Sequence, residues 1–344
     1  MKKKLYIVTL EPLESRYTKQ WYSYWKKEFS KEFDVEYIDG KDSNGKIEKG
    51  RFLDINKTNI WKAQQVESIS NMFRQDYIKK GDIFIFADGW HFGITALKYM
   101  SQLNNIPIKI YGYWHSGTYD NFDFITQAGL REWASHNELG WMKACDGHFV
   151  ATKYHKNIIC KYFSKEKLDN KIHVVGFPMD WEKEQKKLKI VNTDTKKNII
   201  VFPHRLDIEK QPGVFYSLKN SLPEYKFITT IDKNLSKEKY YRLLSTAKAV
   251  FSASEQETFG IGTVEAMLLG CVPIVPNQLA YKELYDDMFK YNDTKTARQR
   301  IVHVMERYYS NKNLSSALKK NQDKIIKDSL DAIPKMCEVI KNGI

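Results

Sequence analysis

Apolar positions in the first half of the chain fall in short unbroken runs: Leu5–Leu10, Phe33–Tyr37, Gly81–Gly89, Ile108–Tyr113, Gly147–Ala151 and Ile172–Val175. Between them Tyr17–Phe29, Gly93–Asn104 and Leu130–Ala144 read as helices. Continuous apolar strands alternating with helices predict a parallel sheet covered on both faces. The pattern then breaks over Asp180–Asn198, where Glu182, Lys183, Glu184, Lys186, Lys187, Lys189, Lys196 and Lys197 crowd a stretch poor in apolar residues. That segment is the expected linker. Beyond it the alternation restarts with strands Ile199–Phe202, Lys226–Ile231, Ala249–Ser252 and Val272–Val275 and helices Gly213–Asn220, Lys237–Thr246 and Gly262–Leu269. Two long helical patterns, Thr294–Tyr309 and Leu314–Ile340, close the chain.

The pattern predicts an α/β protein of two Rossmann-like parallel-sheet domains facing each other across a cleft, with boundaries near 1–185 and 190–321. Open parallel sheets bind ligands at the carboxyl ends of their strands, so a nucleotide-binding enzyme is expected.

Composition narrows this. The 344 residues suit two domains of roughly 150–170. No apolar run approaches the roughly 20 residues of a membrane span. Leu5–Leu10 meets Glu11-Pro12 rather than a small-residue cleavage site, so a first strand is expected and not a signal peptide. Cys145, Cys160, Cys271 and Cys337 lack paired spacing, which argues against a disulfide framework or zinc site and for a cytoplasmic protein, the host's cytoplasm if phage-encoded. A net charge of +13 fits nucleic acid, an anionic membrane or a nucleotide-sugar as partner, and equally a solvated lysine-rich surface.

The most informative stretch runs from Ser252 to Val275, where a strand ends, a glycine-bearing turn follows and a helix begins near Gly262 or Thr263. Such a helix start offers unpaired amides and a positive dipole end to a phosphate, and glycine lets the backbone come close. Glu257 in the turn and Glu265 on the helix place two carboxylates at two depths of one site. The second can accept ribose hydroxyls, and the first can hold sugar hydroxyls or a developing positive charge.

Glu257-Thr258-Phe259-Gly260-Ile261 … Glu265-Ala266-Met267 … Gly270 … Pro273-Ile274 resembles the Glu-x7-Glu motif of GT-B retaining glycosyltransferases of the GT4 type, with Thr258 where glycine is common. His204-Arg205-Leu206 … Lys210 is similar to that family's G-R-L-x-x-x-K-G stretch. The resemblance implies sugar transfer with retention of configuration, from a UDP- or GDP-linked donor as co-substrate and with no resident cofactor. It implies Glu257 and His115 as catalytic residues facing the transferred sugar. Donor contacts are then Arg205, Lys210, Phe259, Gly260, Ile261, Gly262, Thr263 and Glu265. Two fixed cations would stabilise a leaving diphosphate as a metal otherwise does, and the chain contains no Asp-x-Asp, so no metal is expected. The last helix, about 322–344, is expected to cross back to the first domain.

Acceptor contacts are less sharply drawn. Asp88, His91 and Ser116 lie in loops that end strands. Arg16 and Lys19 follow Glu11–Arg16, where the family's usual Gly-Gly is missing. Lys210-Gln211-Pro212 and Gly270–Glu283 further resemble the tRNA-queuosine mannosyltransferase branch, and phage DNA glycosyltransferases share the GT-B architecture. A modified nucleobase is therefore the expected acceptor, with a 5-hydroxymethylpyrimidine in phage DNA preferred over tRNA. The alternatives are an envelope polysaccharide or lipid-linked glycan as acceptor, a non-catalytic nucleic-acid-binding protein on the same scaffold, and a sugar-nucleotide epimerase.

Overall fold

The computed structural model describes residues 2–13, 16–41, 54–187, 195–231 and 235–343. The chain divides into two compact units, Met1–Met179 with Leu330–Ile344, and Asp180–Ser329.

In the first unit β1 (Lys4–Val8), α1 (Tyr17–Phe29), β2 (Asp34–Ile38), α2 (Ile55–Arg74), β3 (Ile83–Phe86), α3 (Gly93–Leu103) and β4 (Lys109–Tyr113) come first. They are followed by α4 (Phe124–Gln127), α5 (Arg131–Ala144), β5 (Gly147–Val150), α6 (Lys153–Tyr162) and β6 (Ile172–Val174). The six strands are parallel in the order β2-β1-β3-β4-β5-β6. Every side chain of β3 and β5 is buried, as a sheet covered on both faces requires. Phe84, Phe86, Ile94, Leu97, Ile110, Trp114 and Met142 belong to one core.

The second unit holds α7 (Trp181–Lys187), β7 (Lys197–Phe202), α8 (Pro212–Ser221), β8 (Lys226–Thr229), α9 (Lys237–Thr246), β9 (Ala247–Phe251) and α10 (Ile261–Leu268). Then come β10 (Val272–Pro276), α11 (Tyr281–Leu284), β11 (Lys290–Tyr291), α12 (Thr294–Arg307) and α13 (Lys312–Leu330), while α14 (Ala332–Asn342) belongs to the first unit. Its parallel sheet runs β11-β10-β9-β7-β8. In each sheet the order of growth reverses once, between β1 and β3 and between β7 and β9. Ligands of open α/β sheets bind outside the carboxyl ends of strands at such a reversal.

Three local readings change. The expected linker opens with a helix, α7, whose buried Trp181 donates from Nε1 to Ser329 Oγ at 2.9 Å. Residues 188–194 of that segment lie outside the described ones. The long closing helix is two helices, because Pro334 has no amide to donate to residue 330 and fits only in the first turn of a new helix. Helix α2 was not anticipated, since it buries only Trp61, Gln65, Ile69 and Phe73, a single thin stripe. Among the described residues no helix is long and apolar enough to cross a membrane.

Candidate active site

In the second unit two loops meet at the sheet reversal, one after β7 and one after β9. Glu255 N–H donates to Glu209 O at 2.8 Å, and Gln211 Nε2 donates to Glu255 Oε2 at 3.1 Å, which ties them together. Lys210 Nζ then lies 2.9 Å from Glu257 Oε1 and donates to Gln256 O at 2.6 Å. His204 places Nδ1 3.7 Å from the same Glu257 oxygen. Arg205 is held by Asp207 at 2.6 Å and Glu209 at 3.1 Å. Burial alone would raise the Glu257 pKa, but Lys210, His204 and Arg205 outweigh it and hold the carboxyl below its ordinary range. Burial pushes His204 down to about 4 against the pull of Glu257, so its imidazole is neutral at pH 7. The cluster is a part-buried carboxylate and a buried ammonium with a neutral imidazole beside them.

The turn into α10 is built for close backbone approach. Gly260 takes φ +82°, the left-handed region that glycine alone enters cheaply, and α10 starts at the next residue. A Cβ on Gly262 would come within 3.2 Å of Pro203 O, so β7 and the start of α10 are packed backbone against backbone. Phe259 and Thr263 are buried. Their side chains serve the packing of the turn, and what Gly260–Thr263 presents is the first amides of a helix, which have no intrahelical partner. Glu265 accepts from Tyr241 Oη at 2.5 Å and from Tyr240 Oη at 3.2 Å. Burial raises its pKa against the opposing pull of Lys237 and these two hydroxyls. The two bonds occupy part of the acceptor capacity assigned to ribose, since a carboxylate offers about four lone-pair sites.

The first-unit residues occupy the carboxyl ends of β1, β3 and β4. His115 Nε2 lies 3.0 Å from the Ala87 carbonyl, which fixes the Nε2–H tautomer and leaves Nδ1 toward Tyr17 Oη at 3.4 Å. Burial lowers its pKa, so it too is neutral. Asp88 pairs with Lys62 at 3.0 Å and accepts from Trp90 N–H at 3.0 Å. Ser116 Oγ donates to Asp123 at 2.6 Å. Arg16 occupies the position just before α1 and Lys19 is exposed on that helix, while Glu14 and Ser15 of the preceding loop lie outside the described residues. His91 departs from expectation. It is 3 % exposed, with Nε2 3.0 Å from Gln65 Oε1 and Nδ1 accepting from Gly93 N–H at 2.9 Å. Both nitrogens are committed to the scaffold, and His91 is corrected from an acceptor contact to a core residue. A groove of about 700 Å³ in this unit, lined by Lys109, Tyr111, Asp146, His173 and Val339 among others, contains none of these residues.

No protein-family model matches the chain. An α,α-trehalose-phosphate synthase (UDP-forming) from Burkholderia vietnamiensis superposes with a TM-score of 0.65 over 99 % of both chains at 8 % identity. The catalytic domain of starch synthase IV from Arabidopsis thaliana, bound to ADP and acarbose, gives 0.64 over 99 % of this chain and 98 % of that one at 9 % identity. The fold is GT-B. In sequence, a tRNA-queuosine α-mannosyltransferase from Drosophila melanogaster is 25 % identical over 172 residues, covering 40 % of this chain and 46 % of the relative. The chain thus spans less than half the length of that relative.

Within this GT-B chain the sequence reading passed over three groups that the structure places, each in its own unit, beside residues it had named. His204 was quoted only as part of a motif. Tyr240 and Tyr241 lie on α9 beside Glu265, a contact that no spacing in the sequence signals. Glu138 on α5 is fully buried and accepts from Thr118 N–H at 2.9 Å, Thr118 Oγ1 and Trp90 Nε1 at 3.2 Å. It joins the loop after β4 to the loop after β3.

Proposed function

We propose that the chain is a glycosyltransferase that moves a sugar from a UDP- or GDP-linked donor, with retention and without metal, to a modified nucleobase in nucleic acid. The observation that carries this reading is the Lys210–Glu257–His204 cluster beside a glycine-started helix at the β7/β9 reversal. Arg205, Lys210 and the Gly260–Thr263 amides bind the diphosphate and stabilise it as a leaving group. Lys210 exchanges part of its attraction to Glu257 for the phosphate, and the carboxylate then takes sugar hydroxyls. Glu265, oriented by Tyr240 and Tyr241, takes the ribose. In the first unit a sugar hydroxyl takes the place of Tyr17 Oη, 3.4 Å away, as the partner of His115 Nδ1, while Asp88, Ser116, Arg16 and Lys19 serve the acceptor. With Glu257 drawn to Lys210, a same-face displacement assisted by the leaving diphosphate is the proposed route, in place of a covalent intermediate.

The ADP-bound and UDP-forming enzymes of the same fold support a nucleotide-linked donor. The fly tRNA-queuosine mannosyltransferase supports nucleic acid as acceptor and gives no reason to prefer DNA over tRNA. The hydroxymethylpyrimidine of phage DNA therefore stands beside a modified tRNA base as a candidate. The test incubates the protein with DNA and tRNA and a panel of UDP- and GDP-sugars, then reads the nucleosides by mass spectrometry. A nucleoside heavier by one sugar is expected in one pool. Two unchanged pools alongside a bound donor would remove the nucleic-acid acceptor.

A further inference from the structure

His204 is 7 % exposed, and its ring meets Phe202 edge-on at a centroid distance of 5.0 Å. Nε2 is sealed from solvent and has no hydrogen-bond partner among the described residues. An unsatisfied buried nitrogen is costly. Among the described residues His148 Nε2 and His155 Nδ1 share that condition, and His204 is the one of the three whose ring is under the influence of a carboxylate and two cations of the candidate donor loops. The charged groups facing the ring are Glu257 on the β9–α10 loop and Lys210 and Arg205 on the β7–α8 loop. A neutral imidazole has one N–H, and here Nδ1 faces a carboxylate while Nε2 waits for a partner.

We propose that His204 Nε2, uncovered as the donor enters, is a direct ligand of the diphosphate, and that the ring takes up one proton from solvent when that group binds. The inference rests on the donor reading above and assigns this ring a task within it. Without the donor's charge, burial and the cations Lys210 and Arg205 keep the ring neutral. A bound diphosphate offsets those cations and offers Nε2 an acceptor. The ring then needs two N–H groups, Nδ1–H toward Glu257 and Nε2–H toward a phosphate oxygen, and only the imidazolium supplies both. No covalent step is involved. Because the proton enters with the ligand, donor affinity is greatest at low pH and falls as pH rises through the bound-state pKa.

Isothermal titration calorimetry of the full chain tests this with UDP-glucose, GDP-mannose, UDP and GDP in Pipes, Hepes and Tris at pH 7. The two sugar nucleotides carry diphosphate diesters that do not titrate near neutrality, so they report the protein's protons. The expected result is a binding enthalpy that varies with buffer ionisation enthalpy, showing net proton uptake, and an affinity that weakens between pH 6 and pH 8. His204→Gln should lose the uptake and bind about tenfold more weakly, the loss of one hydrogen bond to a charged group. His204→Asn provides a second variant, and the wild-type buffer dependence needs no variant at all. Wild-type binding without proton uptake, or a His204→Gln protein with unchanged affinity and uptake, overturns the His204 assignment alone. No binding of any of the four probes overturns the donor reading and this inference with it.

Discussion

Replacing Glu138 by glutamine tests the charge state of a carboxyl placed under the Gly117–Thr118 turn. The side chain is fully buried, and a Cβ on Gly117 would fall 1.8 Å from its Oε1. Two effects compete. Burial disfavours the charged form, and three donors from Thr118 and Trp90 favour it. Burial wins and pushes the pKa up from 4.5 to about 8. The sign follows from proton counting: between these values the native chain keeps a proton that the unfolded chain has lost. Stability from this group is therefore full below pH 4.5 and falls as pH rises toward 8, by about 1.4 kcal/mol per pH unit. Between pH 5 and pH 8 the loss is about 3.5 kcal/mol. Glutamine does not titrate, but its amide N–H₂ must face one of the donors, at a cost of about 1–3 kcal/mol. Glu138→Gln is then the less stable protein at pH 5 and the more stable one at pH 8. Urea unfolding at four pH values measures the difference, and all other titrating groups cancel between the two proteins. Every tryptophan except Trp181 lies in the first unit, so intrinsic fluorescence reports the unit in question. A stability difference that stays constant with pH would refute the reasoning, because it would mean that the three donors hold Glu138 ionised throughout.

Glu257→Gln should lower sugar transfer about 100-fold while nucleotide affinity changes little, as for the loss of one group acting on the reacting sugar; donor turnover and calorimetry on the same samples separate the two. Gly260→Ala forces a side chain into φ +82° and brings its Cβ 3.1 Å from the Tyr281 ring. It should cost about 1–2 kcal/mol in urea unfolding, and more than Gly213→Ala, where an added Cβ meets nothing within 4 Å. Sugar transfer should run at the same rate in EDTA as in magnesium or manganese, since Arg205, Lys210 and the helix amides supply the positive charge. A metal requirement would show that they do not suffice.

Most strands were legible because a parallel sheet covered on both faces leaves unbroken apolar runs such as Ile83–Phe86 and Ile199–Phe202. Helix α2 was not, since Trp61, Gln65, Ile69 and Phe73 form a stripe one residue wide and one of its four members is polar. The break at Asp331 was missed although its cause, Pro334, stands in the sequence, because apolar periodicity continues across it on both sides. The second-unit cluster could be assembled from sequence for a simple reason. Its parts come from two loops, each within a dozen residues of a strand end, and the strand order brings those ends together.

The two histidines His91 and His204 show where residue type stops being informative. Both follow a buried strand, and both lie among residues suited to a ligand. What separates them is the occupancy of their nitrogens, and that depends on residues remote in sequence. His91 is satisfied by Gln65 from α2, whose own amide donates to Thr9 O at 2.9 Å and Ile38 O at 2.7 Å. That network spans β1, β2, α2 and the loop after β3, and it uses the ring to join them. His204 has Glu257 on one side and an unfilled nitrogen on the other. A buried group completed by its own protein stiffens the fold, whereas one left incomplete keeps a free energy of binding in reserve for whatever completes it. By that criterion the histidine that looked like a ligand contact is scaffold, and the one passed over within a motif is the better candidate.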